Sequence, residues 1–107
     1  MTTANPWAGE VALVLDGERQ VLRLTLGALA ELEDQTGASG LVELIGRFES
    51  GTFRAGDVIA LLIAGLRGGG WRGSVDSLAK AEIEGGAIEA TRVAAALLGR
   101  AFALPSA

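Results

Sequence analysis

From residue 10 the chain alternates apolar and polar positions at period two. The stretch "EVALVLDGERQVLRLTL" holds two such runs, one on each side of Asp16-Gly17. Alternation interrupted by a turn dipeptide predicts an antiparallel β-hairpin with one buried face. Two registers compete. A two-residue turn at Asp16-Gly17 sets Leu13 opposite Gln20 and Leu15 opposite Glu18. A four-residue loop over Asp16 to Arg19 instead sets Leu13 opposite Leu22, Val11 opposite Leu24 and Val14 opposite Val21. Apolar cross-strand pairs favour the second register, with Val11, Leu13, Leu22, Leu24 and Leu26 sharing a face. A lone hairpin is only marginally stable, so that face is expected to rest on helices.

After the hairpin the apolar period changes to that of a helix. In "LTLGALAELEDQTG", Thr25 is placed to cap the N-terminus, Leu29 and Leu32 supply apolar positions, and Gly37 stops the helix. In "SGLVELIGRFESG", Ser39 can cap, Leu41, Leu44, Ile45 and Phe48 follow helical spacing, and Gly51 ends the run. A third helix is expected in "RAGDVIALLIAGLRGGG", with Val58, Leu61, Leu62 and Leu66 on one stripe. "SVDSLAKAEIE" reads as a short fourth, and "GAIEATRVAAALLGRAFAL" as a fifth and longest, closed by Pro105. Residues 1–8 read as a loose tail, pinned at its end by Pro6 and Trp7, and residues 9–104 as a single domain. Strands first and helices afterwards give an α+β fold: one N-terminal antiparallel hairpin followed by about five helices.

Composition narrows the function classes. The chain has 107 residues, enough for one core, and half of them are hydrophobic although only three Phe and two Trp are present. Leu, Val, Ile and Ala must therefore fill the interior. Net charge is −4 and the basic residues are scattered singly, which argues against nucleic-acid binding. Cysteine and histidine are both absent, removing disulfides, thiolate chemistry, the usual general base and the commonest metal ligand. The opening "MTTANPWAGE" lacks the basic and apolar regions of a signal peptide, and the uncharged run Val58 to Leu66 is too short to span a bilayer. A cytoplasmic protein without cofactors is expected.

The run "LRGGGW" admits three readings. Leu-Arg-Gly-Gly ends ubiquitin-like modifiers, but here 37 residues with helical pattern follow Gly70. A phosphate-binding loop needs glycines between a strand and a helix, with Lys and Ser or Thr after them. Here the preceding segment is helical, and Trp71 and Arg72 follow. A helix C-terminus accounts for the run best, with Arg67 near the negative end of the dipole and one glycine left-handed.

No catalytic or metal constellation emerges. Glu31 and Asp34 share a helical face without an oxygen-rich loop, so a solvated face is the simpler reading. Asp57 reads as a first-turn acid. Ser39, Ser50, Ser74 and Ser77 have no histidine to activate them, and Lys80 neighbours Glu82 and Glu84 without an apolar pocket. The chain is expected not to be an enzyme. What stands out is surplus apolar surface: Ile59 and Ile63 lie off the third helix's main stripe, and the last helix carries Val93, Leu97 and Leu104 besides Ile88, Leu98 and Phe102. A helix apolar on several sides is either central in its domain or covered by a partner. Under the second alternative the partner-binding candidates are Val58, Ile59, Leu62, Ile63, Leu66, Val93 and Leu97.

Three long stretches, "GEVALVLDGERQVLRLTLGALAELEDQTGASGLVELIGRFESGTF", "DVIALLIAGLRGGG" and "IEGGAIEATRVAAALLGRAF", together resemble a family of small tail proteins of gene transfer agents. These are phage-like particles of alphaproteobacteria. The resemblance spans roughly residues 8 to 104. It is carried most by "LRLTLGALAELE", "AGLRGGG" and Gly85-Gly86, none of which is a catalytic signature. The family is similar in role to phage tail assembly chaperones, though it has also been labelled a tail tube protein. The resemblance implies a non-enzymatic protein that coats the apolar, helical tape-measure protein before the tube polymerises. Its expected partners are the tape-measure protein, the major tail tube protein and further copies of itself, with no nucleic acid and no membrane. The other role it implies is that of a structural tube component, for which many strands closing a ring are expected.

Overall fold

A computed structural model describes residues 9–37 and 41–101. The chain runs β1 (Val11–Leu15), β2 (Glu18–Leu22), α1 (Leu26–Thr36), α2 (Leu41–Ser50), α3 (Ala55–Gly68), α4 (Val75–Lys80) and α5 (Gly86–Ala101). It is an α+β fold, with a two-stranded antiparallel hairpin followed by five helices among the described residues.

The hairpin uses the register that apolar pairing disfavoured. Val11 faces Leu22, Leu13 faces Gln20 and Leu15 faces Glu18, around a two-residue turn. Asp16 and Gly17 both take positive φ, 51° and 79°, which is the type I′ turn whose twist matches that of the strands. The two candidate registers differ by a slip of two residues. Because side chains alternate at period two, that slip leaves every residue on its own face, and the apolar pattern cannot separate them. Turn chemistry decides. The buried face is Val11, Leu13, Leu15 and Leu22; Leu24 is half-buried, and Leu26 is exposed rather than sharing the face.

Each outer edge of the hairpin is covered over part of its length. Along β1, residues 82–84 lie antiparallel with Leu15 opposite Ile83. The Asp16 N–H donates to the Glu82 carbonyl at 2.8 Å, and the Glu84 N–H to the Val14 carbonyl at 3.1 Å. The Asp16 carboxylate in turn accepts from the Glu82 N–H at 2.8 Å. The helix expected over "SVDSLAKAEIE" therefore stops at Lys80, and its tail becomes an extended partner of β1.

Along β2 lies the end of α3. The Arg23 N–H donates to the Gly65 carbonyl at 3.0 Å. A methyl group on Gly68 would fall on the Arg23 carbonyl oxygen, and one on Gly69 on that of Val21. The helix then closes as a Schellman motif, with Trp71 N–H donating to Leu66 O, Gly70 N–H to Arg67 O, and Gly70 at φ 100°. The glycine run is thus a helix stop, as expected, and also the surface on which β2 rests.

The helix in the middle is α3, which packs on α1, α4, α5 and β2. It buries an unbroken run from Ala60 to Leu66 besides Asp57 and Val58. Its surplus apolar positions follow from that central place. On α5, Ala90, Val93, Ala94, Leu97 and Leu98 are buried, one stripe at helical spacing. Other caps are as expected: the Thr25 hydroxyl accepts from Ala28 N–H at 3.1 Å, and Gly37 and Gly51 take positive φ at helix ends. Ser39, Phe102, Leu104 and Pro105 lie outside the described residues.

Candidate functional site

The charged candidates resolve into structural roles. Asp57 is buried at the third position of α3, where it accepts from the Arg54 N–H and the Arg47 guanidinium, each at 2.9 Å. Arg47 also donates to the Thr36 carbonyl at 3.4 Å, so one guanidinium joins the end of α1, α2 and the start of α3. Glu31 pairs with Arg67 at 2.5 Å across α1 and α3, while Asp34 stands exposed in solvent. Ser74 caps α4 through Ser77 N–H, and Ser50 bonds the Gly46 carbonyl. Among the described residues no group of three or more His, Cys, Asp or Glu is placed to hold a metal ion. None of their helices is long and apolar enough to cross a membrane.

The seven apolar candidates divide in two. Ile63, Leu66, Val93 and Leu97 are fully enclosed by the chain's own core. All four lie in the hydrophobic core cluster. Half-buried Ile59 instead lines an open groove of about 440 Å³ between α3, α4 and α5, with Val58 and Leu62, themselves buried, behind it. Ile59 is the most exposed of the three, half-buried at the groove wall.

The groove is assembled from every element after α2. Val58, Ile59 and Leu62 of α3 form its floor and one wall, with Ala55 at the end. Leu78 and Ala79 of α4 face them, and Ala87, Ala90 and Thr91 of α5 make the far side. Phe53 closes one end and is held there by stacking on Phe48, ring centres 4.6 Å apart. At the other end the extended segment after α4 turns Ala81 and Ile83 inward. The alternation sends Glu82 and Glu84 to the opposite side, beside Val14 and Gly17. No charged side chain lines the groove, and Thr91 alone brings a hydroxyl. Its donor is already engaged by the Ala87 carbonyl at 2.9 Å. The side chains of this lining offer apolar contact and no charged group.

A second cleft lies between the outer hairpin face and the start of α5, lined by Ala12, Val14, Arg19, Glu84, Glu89 and Arg92. Its charges are largely matched internally. Arg92 forks onto Glu89 with two bonds of 2.7 Å, and that bonding holds the Glu89 carboxyl below its ordinary range. The sequence offered no direct sign of the groove, because Phe53, Ala79, Ile83 and Ala87 are brought together only by the tertiary arrangement. The third helix supplied a partial signal, since Val58 and Leu62 of its stripe and Ile59 off that stripe are three of the groove's residues.

Neither a curated protein nor a solved structure matches the chain. A comparison with protein-family models matches residues 8–104 to the family described as "Phage tail tube protein, GTA-gp10". That match covers both hairpin strands, all five helices and every residue of the groove. The chain belongs to this gene-transfer-agent tail protein family.

Proposed function

We propose that this tail protein acts as an assembly chaperone. It would hold the tape-measure protein in the alphaproteobacterial cytoplasm until tube subunits polymerise around that client, and would perform no catalysis. The observation that supports this reading is a hairpin whose two outer edges are each partly covered by the chain itself. A tube wall made by strand pairing needs free edges to join neighbouring subunits, and here residues 82–84 lie on one edge and the glycine end of α3 on the other. Helices with an apolar groove between them suit a helical client better than they suit a β-ring.

The family's description favours a second reading, a structural component of the tube itself. Co-expression with a tape-measure protein of such a particle, followed by pull-down and particle analysis, separates the two. The chaperone reading expects a soluble complex with the client and no copies in finished particles. Tubes formed by the purified protein alone, with the client left insoluble and unbound, would establish the structural reading instead.

A further inference from the structure

We infer that residues 82–84 form a releasable strap over the edge of β1, and that its release frees this edge to pair with β1 of a second copy of the chain. The inference concerns the free chain and holds for either role in the tail. Edge strands are commonly kept from pairing with other chains by a charge, a proline or a bulge. Strand β1 reads Val-Ala-Leu-Val-Leu and pairs with β2 in unbroken register, so it carries none of these. Its guard is the strap.

The strap is short. The Val14 carbonyl and the Asp16 N–H meet it, and backbone groups on one edge recur at every second residue. Ala12 therefore turns its own N–H and carbonyl outward, and no backbone group among the described residues answers them. The cleft lined by Ala12, Val14, Glu84 and Glu89 opens beside that position.

The strap is also lightly held. It bonds the hairpin through Asp16 N–H to the Glu82 carbonyl, Glu84 N–H to the Val14 carbonyl, and Glu82 N–H to the Asp16 carboxylate. No residue from Ala79 to Glu89 is buried, and Ile83 anchors the strap with a side chain only half-buried. On its far side Gly85 and Gly86 both take positive φ, 90° and 67°, where the chain turns without hindrance from a side chain. A segment tied by so few contacts opens without unfolding the core.

The freed edge fits itself. Two β1 strands set antiparallel and centred on Leu13 place Ala12 opposite Val14 in both halves. Those pairs exchange as many backbone hydrogen bonds as the two straps give up, and no charged side chain within either strand opposes the other. Bonding is thus conserved in the exchange, and protein concentration sets its direction.

The test measures self-association of the purified full chain by analytical ultracentrifugation, with circular dichroism to establish folding. Glu84→Pro removes the donor to Val14, while Glu84→Gln keeps it. The expected result is a dimerisation Kd about tenfold or more below that of the native chain for Glu84→Pro, and native behaviour for Glu84→Gln. Adding Ala12→Lys to Glu84→Pro places an ammonium in the seam and should return the chain to native behaviour. A folded Glu84→Pro that associates no more than the native chain overturns the inference. Association that Ala12→Lys leaves intact places the contact elsewhere and also overturns it. Should Glu84→Pro fail to fold, Ile83→Ala loosens the strap with every backbone donor kept, and the same outcomes apply. Hydrogen exchange of the native chain adds an independent reading. The Asp16 and Glu84 amides should exchange about tenfold or more faster than those of Leu13 and Leu15, which turn toward β2. Equal rates would mean that the strap opens only with the hairpin, and overturn its release as a separate event.

Discussion

Asp16 serves the fold twice, through its left-handed backbone and through the carboxylate oxygen that accepts from the Glu82 N–H. The two roles separate by substitution. Asp16→Asn keeps an acceptor and tolerates positive φ, so it should be nearly neutral. Asp16→Ala loses both and should cost about 1–2 kcal/mol in urea unfolding. Asp57 gives a larger effect. Its carboxylate is almost wholly enclosed and answers Arg47, whose side chain is about one-fifth exposed (19%). Asp57→Ala leaves the Arg54 N–H without its acceptor and the guanidinium with only Glu43 and the Thr36 carbonyl, and should cost about 2–3 kcal/mol. Removing both charges, as Asp57→Ala with Arg47→Met, should recover part of the loss. Additive losses would show that the two side chains act separately. Of these residues the sequence revealed Asp57 only as an acid near a helix start. Its partner, ten positions earlier, is brought to it by the turn between α2 and α3, which no local pattern encodes.

At the scale of elements, helix ends were the most legible features, because a cap is a local interaction. Thr25, Gly37, Gly51 and Gly70 do what their neighbours in sequence ask of them. Apart from the hairpin register, which the Asp16-Gly17 turn decides locally, the misreadings involve contacts between distant segments. The end of "SVDSLAKAEIE" has helical composition, yet pairing with Val14 and Asp16 draws residues 82–84 into an extended conformation. The glycine run hides a second role for the same reason, since β2 lies more than 40 positions upstream in the chain. That role is measurable. Gly70→Ala meets open space and pays only for its positive φ, about 1 kcal/mol. Gly68→Ala and Gly69→Ala each press a methyl onto a backbone carbonyl that cannot rotate away, and should cost more, about 2–3 kcal/mol. Equal losses at all three in thermal unfolding would mean that β2 simply moves aside.

The whole molecule is organised around one helix. Because α3 touches α1, α4, α5 and β2, its amides from Ala60 to Leu66 should exchange with solvent only on global unfolding. Leu44 is the one fully buried residue of α2 and Leu78 that of α4, so both helices should exchange faster. Hydrogen-exchange mass spectrometry checks this, and uniform protection across all five helices would contradict it. The α+β class and the order of elements were legible because amphipathic period survives any tertiary arrangement. The groove was not, since it exists only where three helices and the Phe53 turn converge.

The cover over β1 has a consequence for the chain's life on the ribosome. Strand β1 is complete at Leu15, but its edge partner ends at Glu84, so 69 further residues must be made before that edge can close. At about 5–20 residues per second, the hairpin waits some 3–14 seconds with an open edge, often beside identical chains on one message. The edge of β2, covered only once Gly69 is made, is open for most of that interval, and there the arginines on and just past the strand matter. Antiparallel pairing of β2 with its own copy, centred on Val21, would set Arg19 directly against Arg23 of the second chain, like charge on like. Replacing both by Thr should leave the finished protein's unfolding midpoint almost unchanged, yet lower its soluble yield when synthesis is fast. Two side chains that do little for the completed fold would then protect the nascent one.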